Sequence, residues 1–267
     1  MIVIKIGGAQ GVNLDAICRD AAELVKSGQK IILVHGGSSE TNEISTALGH
    51  PPRFVTAVSG FTSRYTDRDT LEIFAMVTSG KINTILVERL QKFGVNAFGF
   101  SGVDGRVMIA HRKEAIRIIE NGRKLMLRDD YTGKIESVNA DVLNMFLNNG
   151  FLPVIAPLAI SPEGDALNVD ADRAAAMVAG AVQAEKLLLL TNVPGLLRNF
   201  PDESTLIPHI DRKNLEQALS FAEGRMKKKV LGASEALDLG VPAIVFADGR
   251  TEHPVMDALS GKGTVIS

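Results

Sequence analysis

The stretch "MIVIKIGGAQG" (1–11) decides the fold of this chain. Four aliphatic residues predict a short buried strand, and the glycine pair Gly7 and Gly8 ends it. Lys5 lies inside that strand, where a charge is costly to bury unless a partner pairs with it. Two interpretations are open at this point. Lys5 is either a charge on an exposed sheet edge that prevents aggregation, or it points toward an anion held above the glycine turn.

Strand and helix patterns alternate along the rest of the chain. Further aliphatic runs, each closed by Pro, Gly or Asn, lie at 30–37, 152–157, 186–195 and 241–249. Helical patterns lie near 13–27, 68–92, 139–149, 170–181, 211–220 and 226–239. This alternation predicts an α/β fold with a mainly parallel sheet and helices on both faces. Because there is no long linker, any two parts of the chain must form one continuous body.

Composition excludes several classes of protein. The chain has 267 residues, 45% of them hydrophobic, which is enough for a large core. A formal net charge of −2 argues against a general nucleic-acid binder. The single cysteine, Cys18, excludes a disulfide framework and is predicted to be a core thiol. The sequence shows neither an apolar run of membrane-spanning length nor a signal peptide, so we expect a cytoplasmic protein that does not enter a membrane.

One segment, from about 106 to 135, breaks the alternation and predicts a meander of short strands. At its centre "ENGR" (120–123) is a strong hairpin signal, because Asn and Gly both accept the positive φ of a tight turn. The predicted cross-strand pairs are Glu120–Arg123, Ile118–Leu125 and Ile116–Leu127. This register gives the hairpin one aliphatic face and one basic face, and the basic face carries Arg117, Lys124 and Arg128 beside Ile119 and Met126.

Two glycine-rich turns, "KIGGAQG" and "HGGSSE", follow buried strands, and the second opens a helix. Backbone N–H groups at such turns favour an anion. In "FTSRYTDRDTLEIF" (61–74), Thr66 or Asp67 can cap a helix, and Arg64 lies just before it. An arginine in that place suits bidentate contact with a carboxylate.

Two further loops carry charges beyond what helix capping needs. In "ALNVDADR" (166–173), Asp170 is the predicted N-cap, and Asp172 adds a second carboxylate in the same first turn, just after Asn168. In "GRMKKKVLGASEAL" (224–237), three lysines lie at a helix start, where the dipole disfavours cations and so favours an anionic ligand. Helical geometry places Lys227 and Lys229 on either side of the buried stripe and does not choose between them.

The order of these motifs resembles the amino acid kinase family, and most closely its N-acetylglutamate kinases. The resemblance runs over essentially the whole chain: strand-K-I-G-G, strand-H-G-G, R-x-T-D, N-x-D-A-D, T-N-V-P-G and a G-x-M-x-x-K helix. It implies an open three-layer αβα sandwich. Residues 1–160 would bind the amino-acid substrate and form a homodimer, and residues 161–267 would bind ATP. A phosphoryl group would pass from ATP to a side-chain carboxylate.

Within the family, "SRYTDRDTLEIFAMV", "IENGRK", "DYTGKIE" and "FADGR" are similar to a lysine-biosynthesis branch. The substrate of that branch is 2-aminoadipate, or also glutamate, attached to a small acidic amino-group carrier protein, LysW. The chain departs from the acetylglutamate kinase pattern at Ser38, Tyr65, Arg225 and Lys228. These departures favour the carrier-linked substrate over free acetylglutamate. The alternatives are an N-acetylglutamate kinase of arginine biosynthesis and a non-catalytic amino-acid or nucleotide sensor.

The resemblance also assigns roles to single residues. Lys5 would hold the transferring phosphoryl group, Lys229 would be the second family lysine, and Asp172 would orient both. Substrate binding would fall to the N–H groups of Gly36 and Gly37, to Arg64 at the α-carboxylate and to Asn168 at the amide. Phosphate or nucleotide would contact Gly7, Gly8, Thr191, Asn192, Val193, Gly195 and Leu196. ATP would be a co-substrate with Mg²⁺, and no tightly bound metal or organic cofactor is expected.

The basic face of the hairpin suits contact with the acidic carrier protein. Residues 111–128 contain six Lys or Arg and two Glu, in a chain whose net charge is negative. A free acetylated amino acid has too few charges to need such a patch, whereas an acidic carrier would be steered and oriented by it. Arg117, Lys124 and Arg128 are therefore predicted to contact the carrier protein.

Overall fold

The computed structural model describes residues 1–58, 60, 62–120, 123–215 and 224–267. The strands are β1 (Ile2–Ile6), β2 (Ile31–His35), β3 (Phe54–Ala57), β4 (Thr62–Arg64), β5 (Ala97–Ser101), β6 (Met108–Arg112), β7 (Ile116–Glu120), β8 (Arg123–Leu127), β9 (Gly133–Val138), β10 (Leu152–Ala156), β11 (Leu158–Ile160), β12 (Ala166–Asn168), β13 (Lys186–Thr191), β14 (His209–Ile210), β15 (Ile244–Asp248) and β16 (Thr264–Ile266). The α-helices in the described residues are α1 (Leu14–Lys26), α2 (Ser38–Ala47), α3 (Arg68–Ala75), α4 (Asn83–Lys92), α5 (Ala140–Asn148), α6 (Ala171–Ala181), α7 (Gly224–Asp238) and α8 (Pro254–Leu259).

The main sheet has eight strands in the order β14-β16-β15-β13-β1-β2-β10-β5. All of its pairings are parallel except that between β15 and β16. Strand β1 lies between β13 and β2, with Lys5 in register with Leu189 and Val34. The interpretation of Lys5 as an edge charge is therefore wrong, because its strand lies in the middle of the sheet.

The sheet separates two hydrophobic cores, which confirms the predicted three-layer sandwich. One core packs β-strand residues against α5, α6 and α7, and the other packs the opposite face against α1, α4 and α8. Along β1 the side chains alternate, with Val3 in the first core and Ile4 in the second, as the two-residue period of a strand requires. Cys18 is fully buried in the second core, and burial raises the pKa of its thiol to about 12. The thiol is thus held protonated, as predicted for a core residue.

The hairpin register is confirmed, but the meander is wrong in its pairing. Strands β7 and β8 pair with all three predicted contacts, Glu120–Arg123, Ile118–Leu125 and Ile116–Leu127, while the turn residues 121–122 lie outside the described residues. Strands β6 and β9 instead pair with each other and enclose this hairpin. They join β11 and β12 in one four-stranded sheet, whereas β7 and β8 extend β3 and β4 in another. The local sequence predicted the pairing of β7 with β8, but the partners of β6 and β9 depend on strands distant in the chain.

The two hairpin faces differ less than predicted. On the aliphatic face Ile118 is buried beside β3, but Leu125 is 43% exposed. On the basic face Arg117, Lys124 and Arg128 are exposed as expected, and Met126 beside them is 52% exposed. The aliphatic face is therefore only half covered, because β8 lies at the outer edge of its sheet.

One helical prediction needs correction, and another lies partly outside the described residues. The stretch near 68–92 is one continuous helical run, but a π-helical segment, Met76–Ile82, separates α3 from α4. By length and composition alone, this 25-residue run could cross a membrane, but the fold buries part of it inside the protein. Leu71 and Phe74 of α3 and Leu86 and Leu90 of α4 pack in the protein core, whereas Met76 and Ile85 are exposed. Near 211–220, the described part is a 3₁₀ turn, Arg212–Asn214, and residues 216–220 lie outside the described residues.

Candidate active site

The carboxyl ends of β1, β2 and β13 lie side by side and position the candidate site. Ligands of open α/β sheets bind at this edge, where the loops that follow parallel strands converge. The loop after β1 begins with Gly7, the loop after β2 with Gly36, and β13 ends at Thr191. A cleft of about 230 Å³ opens between the first two loops.

At the centre of the site, Asp172 joins two lysines. The Nζ atom of Lys5 lies 2.7 Å from Asp172 Oδ1, and Nζ of Lys229 lies 3.1 Å from Oδ1 and 2.9 Å from Oδ2. Lys5 is only 4% exposed. Asp170 caps α6 by accepting from the N–H groups of Asp172 and Arg173, as predicted. With Asp170 in that role, the Asp172 carboxylate is left for the lysines, and Lys229 on α7 reaches it.

The charges in this cluster control one another. Burial disfavours ionisation of Asp172, but the attraction of Lys229 and Lys5 outweighs it and holds the pKa of Asp172 well below its usual range. Burial lowers the pKa of Lys5, and the pull of Asp172 compensates only in part because Lys229 opposes it. Burial also opposes the charge on Lys229, yet Asp172 raises the pKa of Lys229 overall. Two ammonium groups and one carboxylate leave a net positive charge, which suits an anion.

The two glycine turns form one backbone cradle. A Cβ on Gly8 would lie 2.4 Å from the Gly37 nitrogen and 2.8 Å from the Ser38 nitrogen, so only glycine allows this approach. Among the described residues, none of the N–H groups of Gly8, Gly37 and Ser38 has a hydrogen-bond acceptor. Gly37 is also the N-cap of α2, where the helix dipole adds positive potential. The cradle can therefore donate several N–H groups to one anion.

Two of the predicted glycines play a different part. The Gly7 N–H donates to the Leu190 carbonyl at 3.0 Å, and the Gly36 N–H donates to the Ile6 carbonyl at 2.9 Å. These bonds continue the sheet one residue beyond each strand. The prediction that Gly36 binds substrate through its N–H is therefore wrong, because that group is already engaged. Both glycines shape the cradle by allowing close backbone approach.

Arg64 and Asn168 lie near this cradle from two different sheets. Arg64 ends β4, is buried, and donates from Nη2 to the Ser38 carbonyl at 3.2 Å, which places it at the start of α2. Its guanidinium also lies 5.4 Å from the ring centre of Phe54. Asn168 ends β12, and its Nδ2 donates to the Thr66 hydroxyl at 3.0 Å. The amide of Asn168 is thus oriented by a residue two positions beyond Arg64.

A buried histidine that the sequence patterns did not single out, His35, supports the cradle. His35 Nδ1 lies 3.0 Å from the Gly36 carbonyl, and the Asn83 amide Nδ2 lies 3.2 Å from His35 Nε2 and 3.0 Å from the Val154 carbonyl. Burial lowers the pKa of His35 to about 4, so the ring is neutral near pH 7. Because Nδ1 faces a carbonyl and Nε2 faces an amide donor, the proton belongs on Nδ1. The H-G-G motif was a signal for this role, but its partner Asn83 follows the π-helical segment and was not predictable.

The turn after β13 is held by its own hydrogen bonds and by packing against the core. Thr191 donates its hydroxyl to the Val193 carbonyl at 3.0 Å and accepts from the Val193 N–H at 3.2 Å. Leu196 is buried in the core, and a Cβ on Gly195 would lie 2.6 Å from Thr264 Oγ1. The side chain of Leu196 thus serves packing, and the nucleotide contact of this turn stays a prediction. Asn192 is the exposed member of the turn.

The basic hairpin face is connected to Arg64 through one sheet. Strand β3 pairs with β4 on one side, opposite Arg64, and with β7 on the other, opposite Ile119. Arg117 and Lys124 therefore lie on a surface that continues to the strand carrying Arg64. Within the described residues, no group of three or more His, Cys, Asp or Glu side chains is arranged to hold a metal ion.

This chain is similar to known proteins over its whole length. The amino acid kinase family profile matches residues 1–247. A Deinococcus radiodurans protein named LysW-aminoadipate kinase is 56% identical over 267 residues, covering 100% of this chain and 91% of its own. A Thermus thermophilus protein of the same name is 52% identical over 268 residues, covering 100% of both chains. N-acetylglutamate synthase from Neisseria gonorrhoeae, solved with coenzyme A and N-acetyl-glutamate, matches the fold with a TM-score of 0.80 and 25% identity. This chain is covered in full and spans 59% of that longer chain.

Two lysines contact one aspartate, Lys5 buried and Lys229 partly exposed, next to an N–H cradle at the carboxyl ends of parallel strands. These features define an α/β protein with a cationic site suited to an anion. The family profile and the two full-length relatives make the assignment specific. The chain belongs to the amino acid kinase family.

Proposed function

We propose that this protein transfers the γ-phosphoryl group of ATP to the side-chain carboxylate of 2-aminoadipate, carried by an acidic amino-group carrier protein of the LysW type. The observation that carries the proposal is the contact of Lys5 and Lys229 with Asp172 inside the protein. The relatives named LysW-aminoadipate kinase support the choice of substrate. Glutamate on the same carrier is a second acceptor of the same chemistry, one methylene shorter.

The reaction needs positioning and charge rather than a nucleophilic side chain. A carboxylate oxygen of the substrate attacks the γ-phosphorus, the bond to the β–γ bridging oxygen breaks, and ADP leaves with the bond electrons. The product is an acyl phosphate, and no proton has to be removed because the acceptor is already ionised. Negative charge on the transferring group is stabilised by the ammonium groups of Lys5 and Lys229. Asp172 keeps both lysines in place and, with its low pKa, stays ionised throughout.

Some of the remaining site residues bind the acyl substrate, and others bind ATP. Gly8, Gly37 and Ser38 donate N–H groups to the reacting carboxylate or phosphate, and Arg64 and Asn168 hold the rest of the acyl substrate. Under this proposal residues 1–160 bind the amino-acid substrate. Residues 161–267 bind ATP, with the exposed Asn192 turn next to the nucleotide. The eight-stranded sheet contains strands from both parts, so the two substrates meet above one rigid platform.

We propose that Mg²⁺ enters with ATP as part of the substrate. It would be held mainly by phosphate oxygens and water, as is usual for nucleotide-bound Mg²⁺. The donor set fits this role, because Asp172, the central carboxylate of the site, is already occupied by two ammonium groups. The ion would offset the charge of the phosphates. We also propose a cytoplasmic location, where the co-substrate ATP is available.

The carrier is proposed to dock on the basic hairpin face. Arg117, Lys124 and Arg128 are exposed there, and Ile119 and Met126 add apolar area between them. Exposed cations steer an acidic partner and orient it, and the attraction weakens as salt increases. A carrier bound on this surface would direct its linked amino acid along β3 and β4 toward Arg64.

A homodimer is part of the proposal as well. Strand β5 is at the edge of the eight-stranded sheet, and its Phe98 is 41% exposed while stacking on Phe146 at 4.5 Å between ring centroids. Met145 on the neighbouring helix α5 is also exposed. An uncovered edge strand with aromatic side chains favours association with a second copy. Sedimentation equilibrium should give about twice the 28.6 kDa of one chain, and Phe98→Glu should shift it toward the monomer.

The reaction can be tested by trapping its product. Incubation with ATP, Mg²⁺ and carrier-linked 2-aminoadipate should release ADP, and hydroxylamine should convert the acyl phosphate to a hydroxamate on the carrier. A matched reaction without carrier substrate should release no ADP above background. Nucleotide binding without any hydroxamate would instead identify a non-catalytic sensor and would refute the proposed function.

A further inference from the structure

A buried carboxylate at the base of the hairpin is not used by the proposed reaction. Asp130 follows β8 and is 3% exposed. Its Oδ1 accepts the backbone N–H of Thr66 at 2.9 Å, and its Oδ2 accepts the hydroxyl of Thr132. Thr66 is fully buried. A buried N–H without an acceptor is costly, so Asp130 fixes the position of the Thr66 backbone.

Thr66 contacts both residues assigned to the acyl substrate. Its hydroxyl accepts a hydrogen bond from the Asn168 amide at 3.0 Å and donates to the Arg64 carbonyl at 3.3 Å. A hydroxyl has one donor and two acceptor positions, so both bonds can form together. With one Nδ2–H engaged by Thr66, the Asn168 side chain keeps a single orientation. One buried threonine therefore connects the two sides of the acyl-substrate pocket.

Backbone hydrogen bonds through Tyr131 also link Thr66 to Asn168. The Tyr131 N–H donates to the Thr66 carbonyl at 2.6 Å, and the Asn168 N–H donates to the Tyr131 carbonyl at 2.9 Å. Arg112 lies over the Tyr131 ring at 3.8 Å and donates to the Asp130 carbonyl at 2.9 Å. The base of the hairpin and the acyl pocket thus share one hydrogen-bonded unit.

We propose that Asp130 and Thr66 are positioning residues for the carboxylate substrate. Asp130 holds Thr66, and Thr66 sets the orientation of Asn168 and the backbone of Arg64. This inference rests on the proposed function, because its readout is the affinity for the acyl substrate. It adds that the hairpin base is built into the substrate pocket, so the surface that receives the carrier and the residues that receive its amino acid are held in fixed relation.

The sharpest test removes only the Thr66 hydroxyl. Thr66→Val keeps the backbone N–H that Asp130 accepts and keeps the side-chain volume, but it cannot bond to Asn168 or Arg64. We expect the KM for carrier-linked 2-aminoadipate to rise about 10-fold, the loss typical of one or two buried hydrogen bonds. The KM for ATP should stay within about twofold. Thr66→Ser restores the hydroxyl and should restore most of the affinity.

A second pair of variants tests Asp130. Asp130→Ala should raise the same KM, whereas Asp130→Asn can still accept from Thr66 N–H and donate to Thr132, so it should rescue affinity. Asp129→Ala, at the exposed neighbouring position, is the matched control and should leave both KM values within about twofold. Amide hydrogen exchange at Thr66 gives a readout independent of turnover: protection should fall in Asp130→Ala and persist in Asp130→Asn.

Each outcome decides between distinct statements. If wild type forms no hydroxamate, the proposed function fails and the positioning role fails with it. Suppose that the wild type is active and that Thr66→Val raises the KM of both substrates equally, or raises the KM of neither. The network then serves only folding, and the inference is overturned. Lost protection in Asp130→Ala without any change in acyl-substrate KM would overturn it in the same way, while leaving the proposed function standing.

Discussion

The buried lysine cluster and the exposed hairpin face use the same type of charge in opposite environments. Lys5 and Lys229 are held within 3.1 Å of Asp172, and the pKa values of all three residues are shifted by burial and by one another. Arg117, Lys124 and Arg128 are exposed on a hairpin at the edge of a different sheet. Buried charges act strongly over short distances, and exposed charges are screened by salt. The first arrangement suits catalysis, and the second suits recognition of a macromolecular partner.

The largest effect should follow from removing one of the two lysines that contact Asp172. Lys5→Ala and Lys229→Ala should each lower kcat by about 10²-fold or more, as for loss of other transition-state charge contacts. Steady-state ADP release at saturating ATP measures this loss. Lys227→Ala is the matched control from the same lysine run, and it should retain wild-type turnover. Normal turnover in both site variants would contradict a catalytic role for the cluster.

A smaller effect is expected at the residue between the two regions. Arg64→Lys keeps the charge but loses the planar fork that binds a carboxylate with two hydrogen bonds. The KM for the acyl substrate should rise about 10-fold, since one charge-assisted hydrogen bond contributes about 1.5 kcal/mol. The KM for ATP should remain nearly unchanged. Arg89→Lys, an arginine on α4 paired with Asp15, is the control. Equal changes in both KM values would mean that Arg64 shapes the fold rather than the site.

The pH dependence of kcat/KM tests the role of the Lys5 charge in the buried cluster. Burial lowers the pKa of Lys5, with Lys229 opposing and Asp172 and Asp170 favouring its charge. A lowered pKa means that the proton is lost at a lower pH than from an ordinary lysine. As pH rises, kcat/KM should therefore begin to decrease at a pH below that at which an ordinary lysine loses its proton. Lys5→Arg, whose guanidinium does not titrate there, should be slower but should move this alkaline limb upward. An unchanged limb in Lys5→Arg would assign the titration to another group.

Sequence patterns predicted the elements that depend on neighbours in the chain. The Asn-Gly signal predicted the observed register of β7 and β8, and Asp170 is the predicted N-cap of α6. Of the two residues predicted to cap α3, Thr66 and Asp67, it is Asp67 that does so. The strand containing Lys5 was also evident, but its central position depended on which strands pair with it. Only the resemblance to a known family joined Lys5 to Asp172 and Lys229, which lie far apart in the sequence.

The features that were missed depend on contacts between distant segments. The pairing of β6 with β9 encloses the hairpin and cannot be read from either strand alone. The bond between Gly36 and Ile6 uses an N–H that the glycine motif suggested was free. Asp130 opens the quoted stretch "DYTGKIE", but nothing local assigns it a role, which emerges only because the chain returns to Thr66. Position in the fold, rather than residue type, gives these groups their function.

The measurement that tests the account most directly is a comparison of four acceptors in the wild type and in one variant. The rate of ADP release from ATP would be measured with four acceptors: carrier-linked 2-aminoadipate, carrier-linked glutamate, free N-acetylaminoadipate and free N-acetylglutamate. The second protein would carry Arg117→Glu, Lys124→Glu and Arg128→Glu. We expect the carrier-linked acceptors to be far better for wild type, and the triple variant to lose kcat/KM for them alone, with a weaker dependence on salt. If free N-acetylglutamate is the best acceptor and the triple variant behaves like wild type, the protein acts as an acetylglutamate kinase and the carrier account is contradicted.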